Sequence, residues 1–327
     1  MKDRYGREIR YLRISVTDRC NLACTYCNPE RNFSWIPSNE LLTLEEIEFV
    51  ARAFSRLGLK KIRLTGGEPL LRKGIVDLAK KLYSIQGIEE VCITTNGVLL
   101  LDYADSLYDV GVRHINISLD TLRPERFKEV SGKDALHRVL AGIERVIELG
   151  FFPIKINTVL IKGINDHELF DFARLTMENV LEWRFIEYMP IGSKCSWQEG
   201  EVITTDTAKK RLEEQFGPLE EVFPNGKWHG PAKLFRIKGA KGLIGFISPM
   251  SHHFCDTCNR LRLTPDGKLR LCLFSDNEVD LKTKIREGMS IEALSKFLKE
   301  VVYDKPLGPV AQNKEPGCER AMRAIGG

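Results

Sequence analysis

Nine cysteines are the residues in this 327-residue chain best suited to chemistry, and six of them fall in two triplets. Cys20, Cys24 and Cys27 lie in DRCNLACTYCN, and Cys255, Cys258 and Cys272 lie in FCDTCNRLRLTPDGKLRLC. Cys92, Cys195 and Cys318 stand alone and read as small buried hydrophobes, Cys92 most clearly because it sits in the apolar run VCIT. The count is odd and the opening MKDRYGREIR has no apolar run, so metal or redox chemistry in a soluble, cytoplasmic protein is the expectation, and a disulfide framework the poorer one. The first triplet is too tightly spaced for a regular strand or helix to bring three thiolates to one point, whereas a loop wrapped around something compact can. Structural zinc takes four protein ligands, and no fourth Cys or His follows nearby. Three thiolates on a four-iron cluster instead leave one iron open to an outside ligand, so the spacing favours a cluster. The second triplet resembles half of a zinc ribbon, with His252, His253 or Cys195 as a conceivable fourth ligand, and its spacing leaves zinc and iron–sulfur both open.

The remaining candidates are cations. Arg13, Arg63 and Lys155 share the polar parity of their strands, and Arg260 and Arg262 share one face of a strand directly after Cys258. A solvated strand face or an internal ion pair is the plain alternative for each. Together, with few matching carboxylates, they suit an anion, and arginine's forked donors suit phosphate. No GxxxxGK[ST] motif is present, so a nucleotide would be held by side chains. No isolated Asp, Glu or His stands out as a general acid or base, and catalytic residues are left unassigned. The total charge of +4, from 49 Lys and Arg against 45 Asp and Glu, predicts neither nucleic-acid nor membrane-surface binding, and no run of about 18 apolar residues predicts a membrane helix.

The elements that must position these residues alternate. Up to about residue 190, the strand-like runs YLRISV, KIRLT, EVCITT, VRHINISL, PIKINTVL and LEWRFIEY are separated by amphipathic helical stretches, which predicts βαβ units on a parallel sheet. A doubly wound sheet would read as continuous apolar runs, but here Leu12, Ile14 and Val16 alternate with Arg13, Ser15 and Thr17, and later strands repeat the pattern. The expected fold is therefore α/β, an incomplete (βα)6 TIM-like barrel with helices outside and a polar interior. LEWRFIEY lacks clean parity and supports the strand count only. The special loops all follow strand ends: the Cys20 loop, Gly66-Gly67-Glu68-Pro69, Thr95-Asn96-Gly97, Ser118-Leu119-Asp120 and Glu187-Tyr188-Met189-Pro190. The boundaries predicted are 1–190 for the barrel and 191–327 for a smaller C-terminal α+β region that closes the open side, with the terminal Gly326-Gly327 read by default as frayed.

CNLACTYC with TGGEPLLR resembles radical S-adenosylmethionine enzymes, and FCDTCNRLRLTPDGKLRLCL with the terminal AMRAIGG resembles the GTP 3′,8-cyclase family of molybdenum cofactor biosynthesis, over about Arg13 to Gly327. One departure is Asn28, where that family more often has Met. The resemblance implies two [4Fe-4S] clusters, one on Cys20, Cys24 and Cys27 whose open iron binds S-adenosylmethionine, and one on Cys255, Cys258 and Cys272 whose open iron faces guanine. It implies S-adenosylmethionine contacts from Tyr26, Gly67, Ser118 and Met189, and GTP contacts from Arg13, Arg63, Thr94, Lys155, Arg260, Leu261 and Arg262. It also implies that Gly326 and Gly327 reach into the site. The implied reaction is abstraction of the ribose C3′ hydrogen by a 5′-deoxyadenosyl radical, followed by closure onto guanine C8. The implied partners are GTP, a cellular one-electron reductant and a downstream cyclic pyranopterin monophosphate synthase, with a homodimer among the expectations. Two other readings are a radical enzyme of another type with an auxiliary cluster, such as a peptide maturase, and a zinc-stabilised nucleotide-binding module.

Overall fold

The computed structural model describes residues 1–29, 31, 34–192, 198, 200, 202–223, 230–308 and 318–326. The alternation read from the sequence is present as β1 (Tyr11–Ser15), α1 (Leu44–Ser55), β2 (Lys61–Thr65), α2 (Ile75–Tyr83), β3 (Glu90–Thr95), α3 (Leu100–Asp109), β4 (His114–Ser118), α4 (Pro124–Ser131), α5 (Leu136–Glu148), β5 (Ile154–Leu160), α6 (Leu169–Glu178) and β6 (Leu181–Glu187). Local chemistry sets several boundaries. Thr43 caps α1, its hydroxyl accepting from the Glu46 amide at 3.1 Å while the Glu46 carboxylate accepts from the Thr43 amide at 2.8 Å. α4 starts on Pro124 and stops at Gly132, whose φ of +77° suits glycine.

The later chain contributes α7 (Thr205–Phe216), β7 (Glu220–Val222), β8 (Lys233–Arg236), β9 (Leu243–Ile247), β10 (Arg260–Leu263), β11 (Lys268–Arg270), β12 (Glu278–Asp280), α8 (Lys282–Arg286), α9 (Ile291–Tyr303) and α10 (Met322–Ile325). The twelve strands of the described residues form one sheet, in the order β12-β11-β10-β1-β2-β3-β4-β5-β6-β9-β8-β7. β10 pairs in parallel with β1 and β9 in parallel with β6, so an arc of eight parallel strands is bordered by antiparallel hairpin strands. The region after residue 190 thus joins both edges of the barrel sheet. Edge strands carry unpaired backbone donors and acceptors, and these additions satisfy those of β1 and β6.

Parity divides the arc into two faces. Leu12, Ile14, Ile62, Leu64, Ile93, Ile115, Ile117 and Ile156 join the buried apolar core beneath the helices. Arg13, Arg63, Thr94, Asn116, Ser118, Lys155 and Asn157 line a cavity on the other face. β6 obeys the same rule although its sequence hides it: Leu181, Trp183 and Phe185 are core, while Arg184 and Ile186 face the cavity. Among the described residues, no helix is long and apolar enough to cross a membrane.

Candidate active site

The cavity has a volume of about 370 Å3 and reaches from the loops after the strands to β10 and the chain's last turn. All six triplet cysteines line it. The described cysteines form no disulfide.

The first triplet is held by backbone. The Gly67 amide donates to Thr17 O at 2.8 Å and the Glu68 amide to Arg19 O at 2.7 Å, which locks the chain just before Cys20. A Cβ on Gly67 would lie 2.3 Å from Arg19 O and one on Gly66 2.5 Å from Thr17 O, so this close approach requires both glycines. Further along, the Cys27 and Asn28 amides both donate to Cys24 O, at 3.0 and 2.8 Å, forming the turn that brings Cys24 and Cys27 together. Asn96 Nδ2 donates to Cys20 Sγ at 3.6 Å, and Tyr26 OH donates to Asp120 Oδ2 at 2.7 Å. Burial pushes the Cys20 thiol up to about 12; Cys24, beside Asp120, rises well above its ordinary value, and Cys27 also rises. Burial likewise raises Glu68 to about 7 and Asp120 to about 6. These thiols need a bound cation before they ionise.

The second triplet lies in the opposite field. Cys255 and Cys258 bracket a short 3-10 turn, with the Cys258 amide donating to Cys255 O at 3.2 Å. Arg260 Nη2 donates to Cys258 Sγ at 3.6 Å. Burial alone would raise Cys258, but Arg260 and Lys305 outweigh it and lower the thiol to about 6. Gly308, at φ +101°, lies against this group: a Cβ there would approach Cys255 Sγ to 3.0 Å and Cys272 Sγ to 3.7 Å.

Among the described residues, no three His, Cys, Asp or Glu side chains converge as a single metal ion would require. His252 pairs instead with Asp206 at 2.6 Å, and Cys195 lies outside the described residues. A four-iron cluster takes each thiolate at a different corner and so fits thiols spread around a cavity wall, with Gly308 leaving room beside the second set. The residues present fit that group.

Of the other residues singled out by sequence, Tyr26, Gly67, Ser118, Met189, Arg13, Arg63, Thr94, Lys155, Arg260 and Arg262 all line the same cavity. Leu261 does not: alternation along β10 turns its side chain into the apolar core, fully buried, so only its backbone can face a ligand. Strand register puts Arg13 between Arg63 and Arg262, and Tyr11 between Lys61 and Arg260. Arg63 donates to Thr94 Oγ1 at 3.3 Å and to the Tyr11 hydroxyl. Lys155 is pressed down to about 7 by burial and then by Arg184. Gly326 O accepts from Arg13 Nε at 3.2 Å and from Arg262, and a Cβ on Gly326 would lie 2.7 Å from Thr65 Cγ2. The described tail is therefore docked, not frayed; Gly327 lies outside the described residues.

Cations that sequence reasoning missed complete the wall: Arg7, Lys61, Arg184, Lys305 and Arg323. Among the described residues, ten Lys and Arg line the cavity against two carboxylates, Asp120 and Glu187. Glu187 is occupied in holding the rim, accepting from the Thr205, Met250 and Ser251 amides at 2.9 Å each. Lys61 shares the parity of Arg63 and was legible; Arg184 was masked by the mixed pattern of β6. Of the single cysteines, Cys92 is buried and donates to Ile62 O at 3.4 Å, and Cys318 is buried in the tail.

Residues 14–176 match the radical SAM superfamily and residues 181–309 match the family described as Molybdenum Cofactor Synthesis C. The fold is similar to that of Streptococcus suis SuiB in the crystal structure bound to S-adenosylmethionine, at 16% identity and a TM-score of 0.65 over 92% of this chain and 67% of that one. Fold and cysteine site together define a radical S-adenosylmethionine protein, which works with S-adenosylmethionine and an iron–sulfur cluster. The chain is 47% identical to the GTP 3′,8-cyclase of Pelotomaculum thermopropionicum over 94% of both chains, and 45% identical to that of Thermodesulfovibrio yellowstonii over the full length of both. It belongs to the GTP 3′,8-cyclase family.

Proposed function

We propose that this chain is a radical lyase that joins C3′ of GTP to C8 of its guanine, giving 3′,8-cyclo-7,8-dihydroguanosine 5′-triphosphate, the first step of molybdenum cofactor biosynthesis. The observation that carries this reading is a single cavity with two thiol triplets and ten cations, a setting for a polyanion beside redox centres. In this reading Cys20, Cys24 and Cys27 hold one [4Fe-4S] cluster and Cys255, Cys258 and Cys272 a second. When bound, the first cluster and S-adenosylmethionine supply the 5′-deoxyadenosyl radical that takes the C3′ hydrogen.

The chain's own residues bind, orient and exclude water. Tyr26, tied to Asp120, and Gly67, Ser118 and Met189 frame S-adenosylmethionine on the side of the first triplet. Arg260 and Arg262 hold GTP beside the second triplet, with Arg13, Arg63 and Lys155 and the newly found Lys61 and Arg184 drawing in the triphosphate; Thr94 and the backbone of Leu261 complete the contacts. Gly326 closes the cavity near Arg13, and Gly327 shares its role in cyclisation. Residues 1–190 act as the radical-generating barrel, and 191–327 as the region that presents substrate to it. The reduction needs a cellular one-electron donor, the product passes to a cyclic pyranopterin monophosphate synthase, and the enzyme works in the cytoplasm.

The test is anaerobic incubation of the iron-loaded chain with dithionite, S-adenosylmethionine and GTP. The expected products are 5′-deoxyadenosine and a cyclised nucleotide in matching amounts; 5′-deoxyadenosine with GTP recovered unchanged would contradict the assignment.

A further inference from the structure

Lys305 follows α9 and is 1% exposed. A buried ammonium is unfavourable unless something of opposite charge compensates it. Among the described residues no carboxylate forms an ion pair with it. Its Nζ donates to the carbonyl of Leu271, the residue before Cys272, on the wall of the cavity that Cys255, Cys258 and Cys272 also line. The backbone at this point is gripped from the opposite end of the chain. Arg7 Nη2 donates to Lys305 O at 3.0 Å and Pro306 O at 2.8 Å, and its Nη1 donates to Cys255 O at 2.8 Å. Asp3 holds Arg7 in turn, Oδ2 accepting from Nε at 2.5 Å, with both side chains buried. Three residues beyond Lys305, Gly308 lies against Cys255 and Cys272. The segment 305–308 is thus built onto the second triplet.

We propose that Lys305 is a positioning residue that places a fixed positive charge against the second iron–sulfur site and sets its reduction potential, while Arg7 holds the segment in place. This rests on the second-cluster reading above. A cation held beside a cluster favours its more negative, reduced state and so raises the potential.

The experiment uses the full chain with Cys20, Cys24 and Cys27 replaced by alanine, which leaves one cluster signal, followed by electron paramagnetic resonance during a redox titration. Lys305→Met is expected to move the midpoint to a more negative potential, and Lys305→Arg to restore most of it. The same midpoint with Met as with Lys would overturn the inference and leave the second cluster standing. Should Lys305→Met assemble no cluster, iron content decides: cluster with Arg and none with Met supports a role for the charge, and none with either overturns it. A parent chain in this background that binds no iron would overturn the second site itself.

Discussion

Cys20, Cys24 and Cys27 belong to one short loop enclosed beside Asp120 and Glu68, and burial drives their thiols up; Cys255, Cys258 and Cys272 come from two sides of a β-hairpin ringed by Arg7, Arg260 and Lys305, and Cys258 is driven down to about 6. The two groups face one cavity yet differ in the balance of charge around them. Arg323 reaches Cys27, but Glu68 and Asp120 act on Cys20 and Cys24, so the first site suits a ligand that brings positive charge, as the sulfonium of S-adenosylmethionine does. A cationic site suits an anionic nucleotide. The difference supports the proposed division of ligands between the two triplets.

The comparison breaks most visibly if the first triplet is dispensable. Cys24→Ala should abolish both 5′-deoxyadenosine formation and cyclisation, read by chromatography of the products, while GTP still binds. Removing Gly326 and Gly327 should abolish cyclisation with the fold retained, since the Gly326 carbonyl joins Arg13 to Arg262; an active truncated chain, with an unchanged circular dichroism spectrum, would return the tail to a bystander. Smaller and more selective, Arg260→Ala or Arg262→Ala should weaken GTP binding by about 1.5–3 kcal/mol, roughly ten- to a hundred-fold by calorimetry, for loss of a charge-assisted contact. Reductive cleavage of S-adenosylmethionine should persist in both variants. Loss of both activities with clusters intact would erase the division of labour between the triplets.

The smallest effect concerns pH. Lys155, held down to about 7 mainly by burial, is partly neutral in the free site, and a bound triphosphate favours its charged form. GTP binding should then take up a proton and weaken as pH rises above about 7, by at most about tenfold per pH unit. Calorimetry in buffers of different ionisation enthalpy reads the proton uptake directly, and Lys155→Met should remove the Lys155 part of the pH dependence.

Much of this arrangement was legible because parity is simple physics. Alternation in β1, β2, β4 and β5 placed Arg13, Arg63 and Lys155 on one face, and that face is the cavity wall. Leu261 falls on the core side of the same rule, which leaves its backbone to face a ligand. Lys305 and Arg7 were not readable at all: Arg7 reaches Cys255 across 248 positions and Lys305 reaches Leu271 across 34, and neither sits in a periodic pattern. The attachment of β9 and β10 to opposite edges of one sheet was equally invisible, since short strands carry no mark of which edge they will pair with. Asp120 and Glu68 lay in loops already picked out, but only packing reveals that they are enclosed and that their protons are held more tightly than usual.

The most direct test of two distinct iron sites in one cavity is metal and sulfide analysis of the anaerobically loaded chain. About eight irons with little zinc are expected per chain, falling to about four when Cys20, Cys24 and Cys27 are replaced by alanine. Two zinc ions and no iron, or loss of all iron when only the first triplet is removed, would contradict it.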